Sequence, residues 1–200
     1  MSIKTVIFDI GGVLVGYDWD KQLMKQFNDR EKVERLKDAL FHSGVWDELD
    51  RGIWSEEELL AGFYEKGPGL EREIKEFWDH AGEALWQYDF TKDLLNELKK
   101  KNMQILYLSN WSKHMREQSS EQLDFLEMLD GGVFSYIEKL IKPDKRIYER
   151  IIEKYKLNPS ECVFLDDRLD NIEAAISCGL NGIQVVDHEE AHKKLFEMIG

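Results

Sequence analysis

The sequence predicts an α/β fold with a doubly wound parallel sheet and a small helical cap inserted after the first strand. Four short apolar runs, rich in β-branched or aromatic residues, have the length of strands. Segments of helical periodicity precede the second and third runs, and strands that alternate with helices form mostly parallel sheets. A stretch of helical segments after the first run interrupts this alternation and predicts the insert.

The predicted strands follow one another along the chain. They are residues 3–8 (IKTVIF), 104–108 (QILYL), 162–165 (CVFL) and 182–186 (GIQVV). Amphipathic helices are predicted at 90–101 (FTKDLLNELKKK) and 147–157 (IYERIIEKYKL). A weaker pattern indicates a further short strand at residues 134–137.

The insert lies between Gly16 and Asp89, where several helical segments but no convincing strand can be recognised. We therefore predict a core domain of residues 1–16 and 90–200 and a helical cap domain of residues 17–89. Five of the six tryptophans lie in the insert, where we expect them to pack its own small core. Gly67-Pro68-Gly69 marks a turn inside it.

Composition excludes several classes of function. The formal net charge of -13 opposes binding to nucleic acid or to anionic lipid. No apolar run approaches the roughly 18 residues of a membrane span. The run TVIF is too short for a signal peptide, and no small-residue cleavage site follows it, so we expect a cytoplasmic protein. Two cysteines without a CxxC motif indicate no disulfide framework. The sequence leaves open whether the protein forms a homodimer.

Polar residues follow three of the predicted strands, and a lysine lies in a loop between the last two. Ligands bind beyond the carboxyl ends of the strands in an open parallel sheet, so we expect these residues to share one pocket. They are Asp9, Ser109, Asn110, Lys142, Asp166 and Asp167.

Such a group of carboxylates is costly without a cation, and oxygen ligands with room for water favour Mg²⁺. A cation and a lysine together would hold a phosphate against an anionic aspartate. Aspartate is a known nucleophile in phosphoryl transfer. Gly11 and Gly12 would let backbone amides approach the transferred phosphoryl group. The expected ligand is a small phosphorylated metabolite.

Four motifs carry a family resemblance. FDIGGVL at 8–14, LSN at 108–110, KPD at 142–144 and FLDDRLDN at 164–171 resemble, in this order, the motifs of the haloacid dehalogenase-like (HAD) hydrolases. The resemblance spans the chain and implies a Rossmann-like core, with the helical insert where that family carries its cap. It is closest to the small-cap branch that includes bacterial sugar-phosphate phosphatases of the glucose-1-phosphate type, whose first motif also reads D-x-G.

The resemblance implies a role for each matching residue. Asp9 is expected to be the nucleophile and a metal ligand, and the Gly11 carbonyl a second ligand. Ser109, with Asn110 beside it, would bind phosphoryl oxygens, as would Lys142, which also balances the carboxylates. The acidic ligands of the last motif would be Asp167 and Asp166, with Asn171 where the family often has a second acid.

One position departs from the family pattern. Phosphatases of this family usually carry a general acid/base aspartate two residues after the nucleophile, where this chain has Gly11. A general acid typically contributes about 10²–10⁴ in rate. The alternative is therefore a catalytically weak or non-catalytic phosphate-binding protein. Asp18 or Asp20 could replace the missing acid, although both also suit the start of a helix near Trp19.

Other hypotheses fit less well. A receiver domain has its acid pair first and its Lys-Pro near the end, whereas this chain has its acid pair last. A metal-free dehalogenase does not need Asp166-Asp167. HEEAH at 188–192 matches the HExxH pattern of zinc proteases, but we interpret it as the exposed start of the last helix. Trp19 and Trp111 are predicted to line the pocket.

Overall fold

The computed structural model describes residues 2–200, so Met1 lies outside the described part of the chain. The strands are β1 (Thr5–Phe8), β2 (Val15–Tyr17), β3 (Leu85–Gln87), β4 (Gln104–Ser109), β5 (Gly131–Phe134), β6 (Cys162–Asp166) and β7 (Asn181–Gln184). Five of them form a sheet in the order β5-β4-β1-β6-β7, in which all neighbours are parallel. The four main predicted strands are confirmed as β1, β4, β6 and β7.

The register of the central strands determines where the site forms. Phe8 pairs with Tyr107 on one side and with Leu165 on the other. Asp9 and Asp166 therefore follow these pairs at one edge of the sheet, and Ser109 follows Tyr107 by two residues at the same edge. Asp9 continues this alignment, because its backbone N–H donates to the Leu165 carbonyl at 2.8 Å.

Helices connect the strands on both faces of the sheet, which confirms the doubly wound α/β fold. Asp18, Asp29 and Ser55 each cap the helix that follows, and Ser55 forms a reciprocal capping box with Glu58. The helices are α1 (Trp19–Phe27), α2 (Arg30–Phe41), α3 (Val45–Arg51), α4 (Glu56–Lys66), α5 (Glu71–His80), α6 (Thr91–Lys100), α7 (Lys113–Gln118), α8 (Ser135–Glu138), α9 (Lys145–Tyr155), α10 (Leu169–Ser177) and α11 (His188–Ile199).

The expectation of an insert without strands was wrong. β2 and β3 form a separate antiparallel ribbon at the two ends of the insert. Each strand has three residues, too few to establish a period-two pattern. Gly16 leaves room in this ribbon for the ring of Trp86, because an added Cβ would lie 2.4 Å from that ring. The boundaries of the core and cap domains stay a prediction.

The weaker predicted strand is also corrected. The edge strand β5 ends at Phe134, and the next four residues form the short helix α8. The two glycines at 131–132 hide the strand from a propensity argument, because glycine is depleted in strands. Gly132 nevertheless lies in β5 because the ring of Tyr107 on β4 occupies the space of its side chain.

Alternate residues of the central strand belong to different hydrophobic clusters. Val6 and Phe8 lie in the larger cluster, and Ile7 lies in the smaller one. The larger cluster continues through the helices of the insert, where Trp78 is buried and Trp19 and Trp46 are partly buried. Trp54 and Trp86 are exposed instead, so the expected packing role holds for three of the five. None of the helices within residues 2–200 has the length and apolar character needed to cross a membrane.

Candidate active site

The predicted site residues meet at the carboxyl edge of the sheet. They line a cavity of about 540 Å³, whose opposite wall is formed by residues of the insert. The cavity is lined from the sheet side by Asp9, Gly11, Asn110, Lys142, Asp167 and Asn171. Ser109 and Asp166 lie deeper, with 1% and 0% of their surfaces exposed.

A buried lysine joins two of the aspartates. Lys142 Nζ lies 2.9 Å from Asp9 Oδ1 and 2.6 Å from Asp166 Oδ2. Burial raises the pKa of Asp9 to about 7, although Lys142 lowers it, and the charge of Asp166 adds to the increase. Burial also works against the Lys142 ammonium, but the charges of Asp166 and Asp9 outweigh it and raise the pKa of Lys142. The lysine therefore remains a cation between two acids.

The loop that carries Lys142 is held by Asn110. The Asn110 side chain donates to the Lys142 carbonyl at 3.1 Å and accepts from the Lys142 backbone N–H at 2.8 Å. Asp144 then begins α9 by accepting from the backbone N–H of Arg146 at 3.0 Å. Asn110, at the end of β4, thus positions Lys142. This is in addition to the role in phosphate binding that the sequence predicts for Asn110.

Asn171 holds the carboxylate of Asp166. Its Nδ2 donates to both carboxylate oxygens, at 3.0 and 3.1 Å, and the backbone N–H of Arg168 donates to one of them at 2.9 Å. The Oδ1 atom of Asn171 is buried and has no hydrogen-bond partner in the described chain. The buried hydroxyl of Ser109 likewise has no partner with hydrogen-bond geometry, although it is near enough to Asp9 to lower the pKa of that carboxyl. Such atoms need a partner, which a ligand can provide.

Three carboxylates are close enough to hold one cation. Oxygen atoms of Asp9, Asp166 and Asp167 all lie within 4.8 Å of one another, the one such cluster of possible metal ligands within residues 2–200. Burial and the charge of Asp166 raise the pKa of Asp167. A divalent cation would remove this repulsion, and all-oxygen ligands suit Mg²⁺.

The two glycines after Asp9 differ in their surroundings. Gly12 has a φ of +73°, and an added Cβ would lie 2.7 Å from a carboxylate oxygen of Asp167. Glycine is therefore required at position 12. At Gly11, an added Cβ would make ordinary contacts with the rings of Tyr17 and Trp111, at 3.6 and 3.7 Å. Position 11 therefore has room for a Cβ, which this sequence does not supply.

The two alternative acids suggested by the sequence already have partners. Asp18 caps α1 and accepts from the Lys21 backbone N–H at 2.8 Å. Asp20 is paired with Arg30 at 2.7 Å and with Lys37 at 3.2 Å, and these hydrogen bonds lower the pKa of Asp20.

Sequence reasoning missed the contribution of α3 to the cavity. Trp46, Asp47 and Asp50 of this helix line it, together with the expected Trp19 and Trp111. No motif marks α3, and only the packing of the insert onto the sheet brings it there. The carboxylate of Asp50 is half-buried and has no hydrogen bond or ion pair with any described residue. Burial, with the charges of Asp47 and Asp9, raises the pKa of Asp50 to about 8.

The HEEAH segment begins α11, as predicted, but its histidines are not exposed. The rings of His188 and His192 pack against Phe90, with centroids 5.0 and 4.8 Å away. His188 Nε2 also lies 3.1 Å from the carbonyl oxygen of Gly12. The helix start is exposed at Glu189 and Glu190, as expected, whereas the two histidines are half-buried and His188 supports the loop after Asp9.

Comparison with known proteins agrees with this geometry. A family model described as haloacid dehalogenase-like hydrolase matches residues 3–179. The sesquiterpene phosphatase astK of Aspergillus oryzae is 26% identical, over 100% of this chain and 98% of its own. D-ribitol-5-phosphate phosphatase of Bacteroides thetaiotaomicron is 28% identical, over 91% of each chain. Two further relatives are longer, and this chain spans 19% and 37% of their lengths.

A solved structure shares the fold. The HAD family enzyme BT-2542 of Bacteroides thetaiotaomicron, in complex with magnesium and inorganic phosphate, superposes with a TM-score of 0.70 at 21% identity. The match covers 92% of this chain and 94% of that one.

Proposed function

Because the chain belongs to the haloacid dehalogenase-like hydrolase family and is a phosphatase, we propose that it hydrolyses small phosphomonoesters with Mg²⁺, through an aspartyl-phosphate on Asp9. The observation that carries this proposal is the buried Asp9–Lys142–Asp166 cluster at the floor of the cavity. A carboxylate in contact with a buried ammonium, at the floor of a pocket, is placed to attack a bound phosphate.

The proposed reaction has two steps. A carboxylate oxygen of Asp9 attacks phosphorus in line and expels the alcohol. Water then attacks phosphorus of the aspartyl-phosphate and regenerates the Asp9 carboxylate. Lys142 and the unpaired Ser109 hydroxyl are proposed to bind the phosphoryl oxygens, with Asn110 holding the Lys142 loop.

Magnesium is proposed to be held by Asp9, Asp166 and Asp167, by the Gly11 carbonyl and through the Asn171 side chain. The mutual proximity of the three carboxylates supports this set. When bound, Mg²⁺ would neutralise phosphate charge and so lower the repulsion between two anions. Gly12 contributes by leaving room for the Asp167 carboxylate.

The lining of the cavity supports a small polar leaving group. The rings of Tyr17, Trp19 and Trp111 line the cavity together with charged side chains of both signs, among them Asp47, Asp50, Lys37 and Arg168. Rings and hydrogen-bonding side chains together suit a polyhydroxylated group such as a sugar or polyol. The polyol phosphate named for the Bacteroides relative is consistent with this class.

The test is phosphate release from a panel of sugar, polyol and aryl monophosphates, with Mg²⁺ or with EDTA. Turnover by the wild type that requires Mg²⁺ and is lost in Asp9→Asn would support the proposal. Activity that survives Asp9→Asn would contradict it. Binding of Mg²⁺ and phosphate without turnover would favour the alternative that Gly11 suggests, a non-catalytic phosphate-binding protein.

A further inference from the structure

The proposed reaction lacks a proton donor at the usual place. Position 11 is glycine, and the space beside it is bordered by the rings of Tyr17 and Trp111. An alkoxide is a poor leaving group, so a phosphatase that cleaves alkyl phosphates needs an acid near the ester oxygen. In line attack by Asp9 places that oxygen on the far side of phosphorus, toward the wall of the cavity that the insert supplies.

We infer that Asp50 of α3 is this acid, and that it acts from the insert in place of the missing aspartate at position 11. The inference rests on the proposed phosphatase function. Asp50 lines the same cavity as Asp9, Gly11 and Lys142. Its carboxylate has no protein partner within residues 2–200, in contrast to the occupied side chains of Asp18 and Asp20.

The backbone around Asp50 is tied directly to the sheet edge. The Ser135 hydroxyl donates to the Asp50 carbonyl at 2.6 Å and accepts from the backbone N–H of Trp111 at 2.9 Å. Lys139 donates to the carbonyl of Gly52, and Gly52 packs against Tyr136 with no room for a Cβ. These contacts hold Asp50 in a defined position relative to the strand ends, as a general acid requires.

The charges that face Asp50 favour its protonated form. Asp47 on α3 and Asp9 at the end of β1 oppose its ionisation, and Lys142 in the loop before α9 favours it. Burial has the largest effect, so the pKa of Asp50 rises to about 8. The carboxyl group can therefore carry a proton at neutral pH in the free protein.

The proton balance closes over one turnover. As the bond from Asp9 oxygen to phosphorus forms, the bond to the ester oxygen breaks and that oxygen takes the proton of Asp50. Water next attacks phosphorus and gives a proton to the Asp50 carboxylate, while the bond from phosphorus to Asp9 breaks. Inorganic phosphate leaves, and Asp50 is protonated again.

The experiment compares two leaving groups in Asp50→Asn. A polyol monophosphate needs the acid in the first step, whereas p-nitrophenyl phosphate releases a stable phenolate that needs none. We expect kcat/KM for the polyol phosphate to fall by about 10²–10⁴-fold. With the aryl phosphate, we expect a rapid release of one phenolate per enzyme and then slow turnover, because hydrolysis of the aspartyl-phosphate still lacks its base. Asp50→Glu should recover part of the polyol activity.

Controls separate this inference from the function on which it rests. Glu57→Gln removes an exposed, unpaired carboxylate from α4 and should match the wild type with both substrates. An equal loss of the first turnover on both substrates in Asp50→Asn, as unfolding or misplacement would cause, overturns the inference. Kinetics of Asp50→Asn that match the wild type with both substrates also overturn the inference. Retained activity in Asp9→Asn would instead overturn the phosphatase mechanism itself.

Discussion

The ammonium of Lys142 lies 2.6 Å from the carboxylate of Asp166, and the two side chains are 1% and 0% exposed. Removal of one member of a buried ion pair leaves the other charge without compensation. We therefore expect Lys142→Met to lower the free energy of unfolding by about 3–5 kcal/mol in EDTA. Urea unfolding measures the change, and Mg²⁺ should restore part of it.

Lys145→Met is the matched control, because Lys145 is exposed at the start of α9 three residues further on. It should unfold within about 0.5 kcal/mol of the wild type. If the two variants are equally stable, Lys142 does not hold the buried carboxylates together.

The glycines after Asp9 provide a second comparison. Gly12→Ala introduces a Cβ that meets Asp167 at 2.7 Å and holds alanine at a φ of +73°. The backbone alone costs about 1–2 kcal/mol, and displacement of Asp167 should weaken Mg²⁺ binding in calorimetry. Gly11→Ala, whose Cβ makes ordinary contacts at 3.6 Å or more, should keep the stability of the wild type. Equal behaviour of the two variants would contradict the close approach at Gly12.

Asn171 determines the orientation of a proposed metal ligand. Asn171→Ala removes both side-chain hydrogen bonds to Asp166. Loss of such support typically lowers metal affinity about 10–100-fold. Isothermal titration with Mg²⁺ checks this, with Asn96→Ala on the exposed face of α6 as the control. An unchanged affinity would remove Asn171 from the metal site.

The stability of the metal-free protein should depend on pH through Asp50. Its pKa rises from 3.8 to about 8 on folding, so the folded state binds the proton more tightly than the unfolded state. This contribution is fully present below pH 3.8 and is lost as the pH rises toward about 8. Asp50→Asn should make the free energy of unfolding fall less steeply over that range in EDTA, whereas Glu57→Gln should not. If the free energy of unfolding depends on pH in the same way in the wild type and in Asp50→Asn, the raised pKa of Asp50 is contradicted.

The strands that carry the site were predictable, because their burial leaves a local mark. β1, β4 and β6 are short, continuous apolar runs, and each ends directly before a polar residue of the site. The ribbon of β2 and β3 left no such mark. Its three-residue strands pair with each other across the whole insert, so a local window cannot detect them.

The features of the site likewise divide into those that the sequence predicts and those that only the structure shows. Asp9, Ser109, Lys142, Asp166 and Asp167 could be placed together from the sequence, since parallel strands must end at one edge of the sheet. The exchange of hydrogen bonds between Asn110 and Lys142, and the contact of His188 with Gly12, depend on side-chain directions that no motif records.

The sequence alone determined the class of fold, the residues at the strand ends and the glycine that stands where an acid is expected. The first two follow from local periodicity and strand direction, and the third follows from the resemblance of the first motif to that of the family. Only the tertiary structure decided that an acid of the insert, Asp50, lines the same cavity as Asp9 and Gly11. Asp50 is far from the strand ends in sequence, and it lines the cavity because α3 is tied to the sheet edge through Ser135.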